Sequence, residues 1–114
     1  MQIEYLEIVT PDVNEVCDVY AKMHGVEFSA PQAALGNART ADLANGGRIG
    51  VRAPMSTQET PVVRPYQLVE DIQAAVLIAQ NAGAEVIHPP LEIPGQGTFA
   101  VLVVGGVQSA LWQR

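Results

Sequence analysis

The sequence predicts an α+β protein made of two tandem β-α-β-β-β modules that form a curved mixed sheet around a cavity. Three observations predict it. The stretch YLEIVTPDV (residues 5–13) has a near-echo in RPYQLVEDI (residues 64–72), with Asp12 and Asp71 in matching places. Apolar residues alternate with a period of two before each acid and recur at helical spacing after it. Each half then closes on strands around turn residues, Asn45-Gly46-Gly47 in the first and Gly105-Gly106 in the second. An internal period of this kind outweighs any single motif.

Residues 3–9 read as a strand with Ile3, Tyr5, Glu7 and Val9 on one face and Leu6 and Ile8 on the other. Pro11 stops it. Asp12 is placed to cap a helix, with Glu15 completing an acidic capping box. Val13, Val16, Cys17, Tyr20 and Met23 form the buried stripe of that helix, and Gly25 ends it. Residues 26–31 predict a short strand, followed by strands over 38–44 and 47–53. Residues 54–63 are polar and bounded by prolines, as in a linker. The order then repeats. A strand over 64–69 leads to Asp71 and to a helix burying Ile72, Ala75, Val76 and Ala79, which ends at Asn81-Ala82-Gly83. Strands over 84–89, 99–104 and 107–113 follow, and IPGQG at 93–97 reads as a flexible loop. The chain is thus one domain over 1–114, with module 1 over about 1–53, the linker over 54–63 and module 2 over about 64–114. A ferredoxin-like β-α-β-β-α-β order leaves two strands without a place.

With 48% apolar and 16% charged residues, the chain of 114 residues is that of a folded globule. A net charge of −6 and six basic residues argue against a nucleic-acid partner, which needs a clustered basic surface. The longest near-apolar run, 99–107, is short of the roughly 20 residues a membrane helix needs. The N-terminus shows no secretory signal, and a single cysteine fits a reducing compartment. The expectation is a cytoplasmic protein with no membrane partner.

The segment YLEIVTPDVNEVCDVYAKMHGVEF resembles the first module of the vicinal oxygen chelate superfamily. VEDIQAAVLIAQNAGAEVIHPPLEIPGQGTFAVLVVGGVQSALWQ resembles the second module of its small members. Glyoxalase I, the bleomycin resistance proteins and the extradiol dioxygenases belong to that superfamily. The likeness covers nearly the whole chain, and it speaks for fold more than for activity. It implies the glyoxalase/bleomycin resistance/dihydroxybiphenyl dioxygenase fold, with the 93–97 loop as a candidate lid. Enzymes of the superfamily hold a divalent metal from four strand positions, two per module. The resemblance places these at Tyr5, Gly50, Arg64 and Ala110. Glycine and alanine have no ligating group, arginine repels a cation, and one tyrosine is a poor substitute. No metal and no cofactor are therefore expected, and metal-dependent glyoxalase or dioxygenase activity is not. His24 and His88 read as surface or packing residues.

Strand alternation gathers Tyr5, Glu7, Arg48, Arg52, Arg64, Tyr66 and Trp112 on the cavity face. Ile49 and Val51 take the helix-facing side of GRIGVR and leave Arg48 and Arg52 on the other. Three arginines suit a carboxylate, phosphate or sulfonate, and Tyr66 and Trp112 suit a planar ligand. The rival reading has those arginines paired with Glu7 or pointing into water. Glu7 is the candidate general base and Tyr5 a hydrogen-bond donor beside it. Cys17 reads as a core thiol. The expected function is metal-independent small-molecule binding of the glyoxalase/bleomycin resistance type, in a homodimer. The alternative is a lyase, isomerase or dioxygenase-type enzyme acting on a small anionic or planar substrate.

Overall fold

The computed structural model describes residues 1–44 and 46–114. Its elements run β1 (Ile3–Val9), α1 (Val13–His24), a 3-10 turn (Ala33–Leu35), β2 (Arg39–Asp42), β3 (Arg48–Arg52), β4 (Val62–Leu68), α2 (Ile72–Asn81), β5 (Glu85–Ile93), β6 (Gly97–Val104) and β7 (Val107–Gln113). Among the described residues, no helix is long and apolar enough to cross a membrane. The chain divides into two compact units, Tyr5–Val63 and Arg64–Arg114, the latter joined by Met1–Glu4.

In the unit Tyr5–Val63 the strand order is β2-β3-β1. β3 runs parallel to β1, with Tyr5 opposite Arg48 and Glu7 opposite Gly50, and antiparallel to β2. The alternating apolar positions supply its core. Ile8, Ala41, Ile49 and Val51 pack against Cys17 of α1, with Leu6, Val13, Val16 and Tyr20 around them. Alternation then commits Tyr5, Glu7, Arg48, Gly50 and Arg52 to the opposite face.

The unit Arg64–Arg114 follows the same plan with one strand more, in the order β4-β7-β6-β5. β7 is parallel to β4, with Tyr66 opposite Ala110 and Leu68 opposite Trp112. β6 is antiparallel to both β7 and β5. Ile72 and Val76 of α2 pack on Ala100, Leu102 and Leu111, leaving Arg64, Tyr66, Gln108, Ala110 and Trp112 on the far face. Within this unit Leu68 N donates to Gln2 O at 2.8 Å, and Arg114 pairs with Glu4. Pro89 and Pro90 sit in β5, the outer strand of this order, where a missing N–H interrupts no central ladder. The ladder shifts register there, between Val86 and His88 and again between His88 and Leu91. Gly105 and Gly106 turn the chain between β6 and β7 with φ of 58° and 78°, a conformation that costs a side chain dearly.

Several expectations are corrected. Residues 26–31 form no strand. Ser29 explains why: its hydroxyl donates to Ala30 O and accepts from Thr40 N, so side-chain bonds replace most of a ladder, and Pro31 has no N–H to offer. One ladder-like bond remains, Ser29 N to Thr40 O at 2.8 Å. Met23 is exposed, because the helical stripe continues from Tyr20 to His24, whose rings lie 5.9 Å apart. Val62 and Val63 belong to β4 and not to a linker. The predicted loop 93–97 is a tight hairpin turn, with Ile93 opposite Gly97 and Gln96 N bonded to Ile93 O. Of the predicted turn Asn45-Gly46-Gly47, Asn45 lies outside the described residues.

The two helix starts also differ. Asp71 is extended (φ −132°, ψ 100°) and its carboxylate accepts from Ala74 N at 3.1 Å, while Gln113 Oε1 accepts from Ile72 N. Asp12 (φ −105°, ψ 51°) has left the extended region and makes no side-chain cap, so the expected capping box is not formed. Asp71→Ala is expected to cost about 1 kcal/mol in a urea melt, and Asp12→Ala well under half of that. Equal costs would contradict the observed caps.

Candidate functional site

In the unit Tyr5–Val63 the central feature is Arg52. Its Nε donates to Glu7 Oε2 at 2.9 Å, and its Nη1 and Nη2 donate to Glu59 Oε1 and Oε2 at 2.8 and 2.7 Å. Glu59 Oε1 also accepts from Met55 N at 2.8 Å, which ties the 54–61 segment to the end of β3. Arg52 and Glu7 are both buried. Hydrogen bonding to Glu59 holds the guanidinium above its already high range; burial opposes this, and Glu7 adds to it. Arg52 is therefore a fixed cation between two carboxylates.

Tyr5 occupies the space above Gly50. A Cβ built on Gly50 would fall 1.6 Å from Tyr5 Oη and 2.3 Å from Cζ, so only glycine leaves room for the ring. Two of the four positions to which the resemblance assigns metal ligands are thus packed into each other. The guanidinium of Arg48 lies 6.0 Å from the Tyr5 ring centroid, at the outer limit of a cation–π contact.

In the unit Arg64–Arg114, Arg64 donates through Nε and Nη2 to Gln108 Oε1, at 3.2 and 2.7 Å. Tyr66 meets Trp112 edge-on, with centroids 5.8 Å apart, and touches Phe99 at 6.2 Å. His88 stacks on Phe99 at 4.8 Å, and its Nδ1 lies 2.7 Å from Pro89 O. Trp112 also covers the backbone of Gly97, where a Cβ would come within 2.7 Å of the indole nitrogen. Tyr66 and Trp112 are both buried and packed on protein.

The structure thus brings Tyr5, Glu7, Arg48 and Arg52 to one face of their unit, and Arg64, Tyr66 and Trp112 to one face of theirs. Gly50 and Ala110 lie on those same faces. Among the described residues, no group of three or more His, Cys, Asp or Glu side chains is close enough to share a metal ion. Cys17 is buried in the core under α1, and that burial pushes its thiol up, with nearby Arg39 opposing. Sequence reasoning missed Glu59 and Gln108. Gln108 shares the parity of Ala110 and Trp112 along β7, so alternation offered a signal for it. Glu59 lies in an aperiodic stretch and offered none.

Solved structures resemble the chain over nearly its full length. A hypothetical protein BH1468 from Bacillus halodurans C-125 matches with a TM-score of 0.76 at 12% identity, over 99% of this chain and 94% of the other. Methylmalonyl-CoA epimerase from Mycobacterium tuberculosis matches with a TM-score of 0.76 at 13% identity, over 97% and 86%. A Streptomyces coelicolor methylmalonyl-CoA epimerase variant in complex with 2-nitronate-propionyl-CoA matches with a TM-score of 0.65 at 16% identity, over 99% and 96%. No family model and no curated protein sequence matches the chain. At these identities the likeness is one of fold, and the fold is the α+β fold of the vicinal oxygen chelate proteins.

Proposed function

We propose that this chain is a metal-independent small-molecule-binding protein with the vicinal oxygen chelate fold. The observation that carries the reading is the packing of Tyr5 onto Gly50. A chelating pair needs two side chains reaching toward one ion, whereas here one position has no side chain and the other fills the gap with a phenol ring. Arg64 and Ala110 are no better donors, since one is a permanent cation and the other a methyl group. The residues present do not fit a divalent metal at these positions.

In this reading Glu7 is the acceptor that fixes Arg52, and not a general base. Tyr5 is a packing residue. The ligand is a small polar or anionic molecule, in line with structural neighbours of the same fold held with CoA esters. The test has two arms. Purified protein is expected to carry no stoichiometric metal, and added Zn²⁺, Ni²⁺, Mn²⁺ or Fe²⁺ to leave the Tm unchanged. A panel of small carboxylates, phosphates and zwitterions is expected to contain a stabiliser, worth about 2.7 kcal/mol at a hundredfold excess over Kd. Stoichiometric metal, or a Tm raised by one ion, would overturn the metal-independent reading. A panel without any stabiliser would overturn the binding reading.

A further inference from the structure

Of the arginines placed on the two far faces, Arg52 is taken up by Glu7 and Glu59, and Arg64 donates to Gln108. Arg48 differs: among the described residues its side chain makes no hydrogen bond and no ion pair, and its one contact of note is with the Tyr5 ring. It lines a hollow of about 380 Å³ together with Phe28, Ser29, Gln32 and Thr40. Glu27 and Asp42, both exposed, line the same hollow.

The floor of this hollow is a hydrogen-bonded network of Ser29, Gln32 and Thr40. Thr40 is buried, and its Oγ1 accepts from Gln32 Nε2 at 2.8 Å. Gln32 Nε2 also donates to Ser29 Oγ at 3.2 Å, and Ser29 Oγ accepts from Thr40 N at 3.0 Å. The Gln32 amide is therefore anchored through its nitrogen. Among the described residues no hydrogen bond uses its Oε1, which remains able to accept.

Charge decides the class of ligand. The lining residues carry one guanidinium and two carboxylates, so a simple anion gains from Arg48 and is opposed by Asp42 and Glu27. A simple cation has the converse difficulty. A molecule with both charges satisfies both sets, and an ammonium group would find Asp42, Glu27 and Gln32 Oε1 as acceptors. The neutral amide and hydroxyl groups suit a polar, uncharged remainder, and Phe28 offers an apolar wall.

We propose that this hollow is a binding site for a small α-amino-acid-like zwitterion, with Arg48 reading the carboxylate and Asp42 the ammonium group. This rests on the small-molecule-binding reading and narrows it to a ligand class. The experiment is an NMR titration of the ¹⁵N-labelled full chain with three matched probes. These are L-glutamine, glutaramate (which lacks the amine) and 4-aminobutanamide (which lacks the carboxylate). L-Glutamine is expected to shift the amides of Ser29, Gln32, Thr40 and Arg48, with each truncated probe at least tenfold weaker. Arg48→Gln and Asp42→Asn are each expected to weaken L-glutamine about tenfold, the scale of one charge-assisted hydrogen bond. Spectra of both variants otherwise matching the parent would exclude misfolding as the cause. Equal affinity for L-glutamine and glutaramate, or undiminished affinity in Arg48→Gln, would overturn the assignment. No saturable shift with L-glutamine would overturn it too. In that case the broader binding reading still stands or falls separately on its own metal and small-molecule panel.

Discussion

Arg52→Met is expected to destabilise the protein by about 3–5 kcal/mol, the usual cost of removing one partner from a buried ion pair. The substitution keeps most of the stem volume, so the loss is electrostatic. Glu7 would be left buried with no guanidinium at 2.9 Å, and Glu59 would lose both of its Arg52 bonds. Glu59 also receives Met55 N, so its release loosens the 54–61 segment from β3. The penalty arises from a buried carboxylate that has lost its Arg52 bond, and removing the carboxylate as well should relieve most of it. Arg52→Met with Glu7→Leu is therefore expected to regain more than half of the loss. Urea melts of the parent, both single variants and the double variant give the coupling energy directly. A single-variant loss below about 1 kcal/mol would mean that the network contributes as little as an exposed pair does. A double variant no better than Arg52→Met would show that packing, and not charge, is what Arg52 supplies.

This network marks where the sequence stops being informative. Alternation places Glu7 and Arg52 on one face, because Leu6, Ile8, Ile49 and Val51 claim the other for α1. It even admits their pairing as one of two readings. It cannot place Glu59, whose neighbours show neither a strand nor a helix period. The same limit applies at residues 26–31, where apolar alternation is present yet Ser29 diverts the backbone into side-chain bonds. Element order and face assignment were legible because they follow from burial of apolar side chains at fixed periods. Side-chain partners were not, because they depend on strand register and on segments without a period. The offset of Tyr5 opposite Arg48, and Glu7 opposite Gly50, is one such register. No periodicity in the chain states it, and it decides what the phenol ring of Tyr5 can reach.

That register carries the second large effect. Gly50→Ala is expected to cost about 1–3 kcal/mol, the range for overpacking a filled site, with any excess reflecting how little the ring can retreat. The new methyl would fall 1.6 Å from Tyr5 Oη, 2.3 Å from Cζ and 2.8 Å from Cε1. The hydroxyl oxygen and two ring carbons are involved, so rotating the hydroxyl hydrogen relieves nothing, and the buried phenol must move as a body. Backbone conformation is not the cause, because Gly50 has no positive φ. The cost should thus vanish once the ring is gone. In a Tyr5→Ala background, which itself leaves a cavity beside β3, Gly50→Ala is expected to be neutral or slightly stabilising. A double-mutant cycle by chemical denaturation measures this coupling. If Gly50→Ala costs the same with and without Tyr5, the ring does not hold that space. The position would then be open to a ligating side chain, and the case against a metal there would lose its physical basis. If the coupling is as large as the contacts require, any chelating group introduced at 50 must first expel Tyr5. In that event the pair forms a sterically closed corner of this face, and a ligand must be gripped elsewhere on it.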